Sequence, residues 1–270
     1  MLLRLDDGRR LRFDLLGPQR GPVACLAHCL TFDSGVWSEQ VEPLLANGWR
    51  VLRLDMRGHG GSDAGGGGFG MAELAADVIA VLDRLGIERV HFLGVSIGGM
   101  IGQQLGIDHG GRLHSLMLCG TRAQAVPGPP GMWEERFAAV RGAGSLEPIA
   151  DAAMARWVTE DFRPRRPDRW QQVRDTIVAT SLDGYIGGAQ AIIAFDVLDR
   201  LGEIRAPTLV LCGDEDTGTP PEGNRLIAAR IPEARYVDMP HARHIPMIEY
   251  PEAFNAVMLD WLGRVNGLAG

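Results

Sequence analysis

Short apolar runs alternate with longer amphipathic stretches along most of the 270-residue chain. The runs have the length and composition of strands and lie at residues 23–28, 50–55, 90–95, 114–119, 208–212 and 235–239. Between two of them, residues 71–85 place Leu74, Val78 and Leu85 on one face of a helix. Continuous apolar strands separated by helices are characteristic of a parallel sheet covered on both faces. The pattern therefore predicts an α/β fold with a mostly parallel central sheet.

Two regions depart from this alternation. Residues 2–16 have the pattern of an antiparallel hairpin that turns at Asp7 and Gly8. Between residues 122 and 201 the strand pattern stops, and a breaker-rich stretch at 126–131 is followed by helical segments. An insertion of that length is too long for a loop within a compact domain. We therefore expect a core domain formed by residues 1–121 and 202–270, and a helical cap over residues 122–201.

The segment from Gly94 to Gly98 carries the first candidate chemistry. It has the spacing G-x-S-x-G, with an apolar strand before it and a small-residue helix over 98–107 after it. On such a strand-to-helix turn, the glycines avoid Cβ clashes, and the serine hydroxyl is exposed beside a free backbone N–H. Ser96 is therefore the candidate nucleophile. Because the chain has 36 glycines, the flanking strand and helix carry most of this argument.

A serine nucleophile needs a base and an acid that orients it, and candidates for both follow later strands. The acidic residues 214–216 come just after the apolar run that ends at Cys212. His241 and His244 follow the last apolar run. In open α/β sheets, sites form at the carboxyl ends of strands, and the order serine, acid, histidine fits this architecture. The residues alone leave open which acid and which histidine act.

Together, these motifs resemble the α/β-hydrolase fold family over essentially the whole chain. The segment 55–62 is similar to the family's D-x-R-G-H-G-x-S turn, in which the resemblance gives His59 no catalytic role. A G-x-x-D sequence followed by a T-P-P turn recurs at the acid position of similar hydrolases, which implies Asp216 as the acid. The position before the I-P-M-I-E-Y-P stretch implies His244 as the base.

The resemblance also implies where an oxyanion would be bound. Many related enzymes have an H-G-x loop after an early strand, and this chain has His28, Cys29 and Leu30 there. Carried over position by position, the oxyanion hole consists of the backbone N–H groups of Leu30 and Ile97. Cysteine in place of glycine departs from the commonest pattern, although some lactonases of the family carry a small non-glycine residue. We expect the loop to be retained.

Two cap segments narrow the resemblance to 3-oxoadipate enol-lactonases. Residues 156–163 resemble their R-W-F-T-x-x-F-R segment, and residues 183–196 resemble their G-Y-x-x-x-x-x-A-I-x-x-x-D segment. The resemblance implies two-step acyl transfer on an ester or lactone of aromatic catabolism, with no metal or organic cofactor. Trp157 belongs either to the cap core or to the pocket wall. Among the cap arginines, Arg163 is our first candidate for a contact with a substrate carboxylate.

Other functions stay open beside the lactonase. A carbon–carbon bond hydrolase or a cofactor-free perhydrolase uses the same triad, and a substrate panel separates these from a lactonase. A non-catalytic receptor on the hydrolase scaffold would be expected to lack a triad residue, whereas Ser96, Asp216 and His244 are all present.

Composition and charge limit the kinds of partner that the protein is expected to bind. The chain has 27 basic and 34 acidic residues, a net charge of −7, which argues against nucleic acid or an anionic membrane. It has no run of 18 apolar residues and no signal-length apolar start, so we expect a cytoplasmic protein. Cysteines at positions 25, 29, 119 and 212 lie in or beside predicted strands, without metal-binding spacing. We expect a small-molecule substrate and leave homo-oligomer formation open.

Overall fold

A computed structural model of the chain describes residues 1–65, 68–124 and 131–267. The strands are β1 (Leu2–Arg4), β2 (Arg10–Leu16), β3 (Val23–Ala27), β4 (Arg50–Leu54), β5 (Val90–Val95), β6 (Leu113–Cys119), β7 (Thr208–Gly213) and β8 (Arg235–Met239). The helices are α1 (Ser38–Ala46), α2 (Met71–Leu85), α3 (Ile97–Asp108), α4 (Met132–Ala143), α5 (Glu147–Trp157), α6 (Phe162–Arg165), α7 (Pro167–Ala179), α8 (Leu182–Ala194), α9 (Pro221–Arg230), α10 (Pro246–Glu249) and α11 (Pro251–Asn266). Of these helices, none alone is long and apolar enough to cross a membrane, and only the bent pair α7 and α8 meets that criterion jointly, by length and composition. The breaker-rich stretch predicted at 126–131 lies, apart from its last residue, outside the described residues.

The strands form one sheet in the order β1-β2-β4-β3-β5-β6-β7-β8. Strands β3 to β8 run parallel, while β1 and β2 form the predicted hairpin, and β2 pairs antiparallel with β4. Within the hairpin turn, the Gly8 N–H donates to the carbonyl of Leu5 at 2.9 Å. The prediction of a mostly parallel sheet is confirmed.

The sheet order brings two loops together at its carboxyl edge. Strand β3 lies between β4 and β5, so the chain moves outward to β4 and later crosses back to β5. Ala27 at the end of β3 pairs with Gly94 near the end of β5. The loops that leave these strands therefore start side by side. Such a reversal of strand order is where open α/β sheets form their ligand-binding crevice.

The central strands are buried on both faces. Every residue of β3 and β5 is buried, and helices α2 and α3 pack against each other, as do α1 and α11. Fully buried aromatic side chains such as Trp37, Phe92 and Phe254 fill this core. Each contributes about 1.5 to 3 kcal/mol by leaving water. The close-packed core fixes the strand ends from which the candidate site is built.

A helical insertion separates β6 from β7. It contains α4 to α8, and within the described part of the chain its only strand-like pairing is an isolated bridge between Gln124 and Asp196. The Val197 N–H donates to the carbonyl of Ala123 at 2.7 Å, so the two ends of the insertion meet beside the sheet. The predicted helical character is confirmed. Its division from the core at residues 122 and 201 remains a prediction.

The insertion packs on the core through a close approach of two backbones. Gly184 in α8 lies against Gly58, and a Cβ at either position would collide with the backbone of the other residue. The Ser181 hydroxyl donates to the carbonyl of Gly58 at 2.7 Å and accepts from the Gly184 N–H at 3.0 Å. Only glycine, which has no side chain, permits this approach.

Candidate active site

Ser96 lies on the turn between β5 and α3 with φ 59° and ψ −117°. A Cβ at Gly94 would collide with the backbone of Gly98, and a Cβ at Gly98 would collide with the carbonyl of Ala27. The glycines of the G-x-S-x-G segment therefore allow strand and helix to cross. The strained backbone is held by the Thr121 hydroxyl, which donates to the Ser96 carbonyl at 2.7 Å. The Ser96 side chain lines a cavity at the carboxyl edge of the sheet.

His244, which lines that cavity, forms a buried pair with Asp216. The His244 Nδ1 lies 2.7 Å from the Asp216 Oδ2. The Asp216 Oδ1 accepts from the N–H groups of Gly218 at 2.7 Å and Thr219 at 2.9 Å, and the Thr219 hydroxyl donates to Oδ2 at 2.7 Å. Burial alone would raise the pKa of the Asp216 carboxyl, but His244 and the Thr219 hydrogen bonds hold it below its usual value. The arrangement keeps this carboxylate ionised beside the imidazole.

The structure separates these two residues from their sequence alternatives. Asp214 and Glu215 are exposed, whereas Asp216 is 3% exposed. His241 is exposed and adopts φ 61°, whereas His244 is 4% exposed and, like Ser96, lines the cavity. The fold thus brings Ser96, Asp216 and His244 together from three different strand ends.

The loop after β3 is held by His28. The His28 Nε2 accepts from the Met56 N–H at 2.9 Å, so its proton lies on Nδ1, which donates to the Cys29 carbonyl at 2.8 Å. Because C=O and N–H point in opposite directions in a trans peptide, this bond turns the Leu30 N–H away from His28. Leu30 lines the cavity with Ser96. Burial lowers the pKa of His28, which favours the neutral ring that this pattern requires.

The predicted oxyanion donors have free N–H groups. Among the described residues, neither the Leu30 N–H nor the Ile97 N–H donates to a protein acceptor. Cysteine at position 29 fits without strain, because the left-handed residue of this loop is Thr31, with φ 65°. The Thr31 hydroxyl donates to the Leu30 carbonyl at 2.6 Å. The loop therefore accommodates cysteine in place of the glycine of H-G-x, and the oxyanion-hole role of Leu30 and Ile97 remains a prediction.

The cavity has a volume of about 300 Å³ and lies between the sheet edge and the insertion. Met132, Trp133 and Ile192 of the insertion contribute apolar wall. Trp157, predicted to belong either to the cap core or to the pocket wall, lines the cavity. Its ring stacks on His244 with centroids 6.3 Å apart and an interplanar angle of 25°. The insertion thus covers the candidate nucleophile and base.

The structure places Arg163 outside this cavity. Its side chain is exposed, and its guanidinium lies over the ring of Trp170, 4.3 Å from the centroid. Its neighbours Arg166 and Arg169 form ion pairs with Glu39 of the core at 2.6 and 3.2 Å. These arginines therefore attach the insertion to the core or lie at the surface. Candidates for a contact with a substrate carboxylate must be sought among other residues.

Three arginines do line the cavity: Arg122, Arg136 and Arg156. Within the described ranges, none of them forms an ion pair with a carboxylate. Burial lowers the pKa of the Arg156 guanidinium, and the nearby Arg136 lowers it further. Burial also lowers the pKa of Arg122, whose guanidinium donates to the Gly218 carbonyl. Cationic groups without a protein counter-ion in a cavity are suited to an anionic ligand.

Sequence reasoning missed Arg122 and Arg136. Arg122 follows β6 by three residues, and β6 pairs with β5, which leads to Ser96. Its position after that strand could therefore have indicated that it lies near the candidate site. Arg136 lies on α4, and the sequence alone gives no indication of which face of that helix meets the cavity.

Comparison with known proteins agrees with this geometry. The sequence profile described as the alpha/beta hydrolase fold matches residues 22–251. With the strand order, the turn at Ser96 and the His244–Asp216 pair, this match places the chain in the α/β-hydrolase fold family.

Similar proteins indicate which kind of hydrolase the chain is. The chain is 30% identical to 3-oxoadipate enol-lactonase 1 of Acinetobacter baylyi, over 92% of this chain and 91% of that protein. It is 33% identical to a 2-hydroxy-6-oxononadienedioate/2-hydroxy-6-oxononatrienedioate hydrolase of Cupriavidus pinatubonensis, over 84% and 81% of the two chains. The crystal structure of the enol-lactonase from Burkholderia xenovorans matches with a TM-score of 0.92 and 34% identity, over 97% and 100%. The protein is thus a hydrolase of the esterase- and lactonase-like kind.

Proposed function

We propose that the protein cleaves a carboxylic ester or lactone by two-step acyl transfer on Ser96. The observation that supports this most directly is that one cavity contains Ser96 on its strained turn and His244 hydrogen-bonded to Asp216. The N–H groups of Leu30 and Ile97, which have no protein acceptor among the described residues, supply the oxyanion hole of this proposal.

In the first step, His244 takes the proton of Ser96 while the serine Oγ attacks the carbonyl carbon. The electron pair of the C=O bond moves onto the oxygen, where the N–H groups of Leu30 and Ile97 stabilise the charge. One such donor is typically worth about 3 to 4 kcal/mol. Asp216 orients the imidazole and stabilises its charged form.

Collapse of the tetrahedral intermediate breaks the bond to the leaving oxygen, which takes the proton from His244. In a lactone, the leaving oxygen stays attached to the acyl chain, and an enol oxygen leaves readily because the enol rearranges to a ketone. Water then attacks the acyl-enzyme, gives a proton to His244, and releases the acid as Ser96 recovers its proton.

The substrate that we favour carries a free carboxylate, as a 3-oxoadipate enol lactone of aromatic catabolism does. A protein with net charge −7 must offset its own repulsion locally to bind an anion. Arg136 and Arg156 line the cavity wall and have no carboxylate partner among the described residues. We propose these two cap arginines, in place of Arg163, as the contact for that carboxylate.

The test compares single substitutions on an activated ester and on the enol lactone. Ser96→Ala should abolish turnover of both and prevent labelling by a fluorophosphonate, while the thermal midpoint stays near that of the wild type. His244→Ala should also remove turnover, and His241→Ala is the matched control that should retain most of it. Turnover at the wild-type rate in Ser96→Ala would refute the nucleophile assignment.

A carbon–carbon bond hydrolase is the second candidate. The similarity to the dienedioate hydrolase of Cupriavidus pinatubonensis favours it. A third arginine in the cavity, Arg122, which donates to the Gly218 carbonyl near Asp216, also favours it. Measured kcat/KM values for an enol lactone and for a vinylogous diketone with carboxylates distinguish the two functions.

A further inference from the structure

The loop that carries His244 is hydrogen-bonded to the insertion. The His244 N–H donates to the carbonyl of Trp157 at 3.1 Å, and the Ile245 N–H donates to the same carbonyl at 3.3 Å. The Arg243 guanidinium donates to the carbonyls of Ala155 at 2.5 Å and Val158 at 3.1 Å. The proposed base therefore takes its backbone position partly from the end of α5.

A buried carboxylate joins both sides of this contact. Glu249, at the end of the short helix α10, is 1% exposed. Its Oε1 accepts from the Thr159 N–H at 2.7 Å and lies 2.7 Å from the Thr159 hydroxyl, which also lies 2.5 Å from the Asp161 Oδ1. Its Oε2 accepts from the Arg243 N–H at 2.7 Å. One oxygen thus binds the insertion and the other binds the residue before His244.

The donor pattern requires two acceptor oxygens. An ionised carboxylate only accepts hydrogen bonds, and the backbone N–H groups of Thr159 and Arg243 approach its opposite oxygens. An amide at this position would direct an N–H towards one of those N–H groups. Removing one acceptor would leave a buried donor unsatisfied next to His244.

We propose that Glu249 is a positioning residue for the histidine base. It does not line the cavity; it acts through the Arg243–His244 backbone, which it fixes against Thr159 of the insertion. In this arrangement the Glu249 carboxylate adds to the direct hydrogen bonds between this loop and the insertion, and together they hold the imidazole at Asp216. The inference rests on the proposed role of His244.

Glu249→Gln tests this proposal in the full-length protein, because it removes one acceptor with almost no change in volume. We expect kcat for an activated ester to fall by about tenfold or more, with KM within about twofold, since a misplaced base slows chemistry more than binding. Glu252→Gln is the matched control, because Glu252 is exposed on the next helix, and it should leave both constants unchanged.

A spectroscopic measurement separates positioning from plain stability and from the proposed function. The low-field proton resonance of the His244–Asp216 hydrogen bond, assigned by its loss in His244→Ala, should shift or broaden in Glu249→Gln. If Glu249→Gln lowers only the thermal midpoint and keeps both kcat and this resonance, the positioning role is refuted. If the wild type lacks esterase activity, the proposed function fails, whereas the resonance still tests Glu249.

A second pair of variants covers the case in which Glu249→Gln does not fold. Thr159→Val removes the hydroxyl that lies between Oε1 of Glu249 and Oδ1 of Asp161, and Thr159→Ser keeps it. We expect the valine variant to lower kcat and perturb the resonance in the same direction, and the serine variant to restore both. Equal kcat and resonance in the valine variant and the wild type would contradict the proposal.

Discussion

At the scale of single residues, the site depends on backbone conformations that few side chains adopt. Ser96 and Thr31 both have positive φ, at 59° and 65°. A residue held in such a region costs about 1 to 3 kcal/mol, so it persists only where the surroundings fix it. The Thr121 hydroxyl supports the carbonyl of Ser96, and the His28 ring supports the carbonyl of Cys29. The strained residues and the side chains that support them thus lie together in the part of the cavity where the carbonyl group of a substrate would react.

The cavity arginines lead to a prediction about substrate charge. Arg156→Gln should raise KM for a carboxylated lactone by about tenfold or more, because a charge-assisted contact is worth about 1.5 to 3 kcal/mol. KM for a neutral ester of similar size should change little. Steady-state kinetics on both substrates, at fixed ionic strength, measures this difference.

Arg163→Gln is the control, because it makes the same substitution in the same insertion outside the cavity. It should leave KM for both substrates unchanged. If Arg163→Gln discriminates between the substrates and Arg156→Gln does not, the carboxylate contact proposed for the cavity wall is wrong.

At the scale of elements, the sequence predicts the position of some candidate site residues and not of others. Ser96 could be predicted because the G-x-S-x-G spacing describes a local turn whose strain and clashes involve neighbours in sequence. Arg163 could not be placed correctly. It lies seven residues after Arg156, which would put both on one face of a continuous helix. The structure breaks that helix at Val158, which is extended with φ −132° and ψ 152°. The two arginines therefore point to different surroundings.

The contact between α8 and the core predicts an unusual response to alanine. Gly184→Ala should lower the free energy of unfolding by about 1 to 3 kcal/mol, because its Cβ would overlap the backbone of Gly58 and neither chain segment can give way. Urea unfolding followed by circular dichroism gives this value.

Gly142→Ala in α4 is the comparison for this substitution, since a Cβ there meets nothing within 4 Å. Because Gly142 lies in the last turn of α4, the same substitution should raise stability by at most about 0.5 to 1 kcal/mol, the value for a helix interior. Equal effects of the two substitutions would show that the approach of Gly58 and Gly184 does not hold the insertion in place.

At the scale of the whole molecule, the sheet and the position of the site are predictable, whereas the lining of the cavity is not. Asp216 and His244 follow strands whose carboxyl ends share one edge, so their meeting follows from a parallel sheet. Helix α1 is not among the predicted elements, and it contains Pro43 in its interior, a residue that disfavours a helix. Which charged side chains line the cavity depends on how the helices α4 to α8 pack. That packing is determined by contacts between residues that are far apart in sequence.

Buried neutral histidines predict that the whole molecule loses stability in mild acid. Burial lowers the pKa of His59 to about 3 and that of His91 to about 4, and the Nε2 of each has no partner among the described residues. Above the unfolded value of about 6.5, neither state is protonated and the full stability is present. As pH falls below that value, these histidines bind protons in the unfolded state but not in the native state, which lowers the free energy of unfolding. For His59 alone, the loss reaches about 2 kcal/mol at pH 5.

The measurement is the free energy of unfolding in urea at pH 7 and pH 5, for the wild type and for His59→Gln. Other groups titrate in the same interval, and Glu249, whose pKa is raised by burial, acts in the opposite direction. The difference in pH dependence between the two proteins isolates the histidine, because those groups are common to both. We expect the variant to lose about 2 kcal/mol less than the wild type between pH 7 and pH 5. Identical pH dependence would mean that His59 takes up a proton as readily in the native state as in the unfolded state, so that its buried position, 5.3 Å from the His28 ring, tolerates the charge.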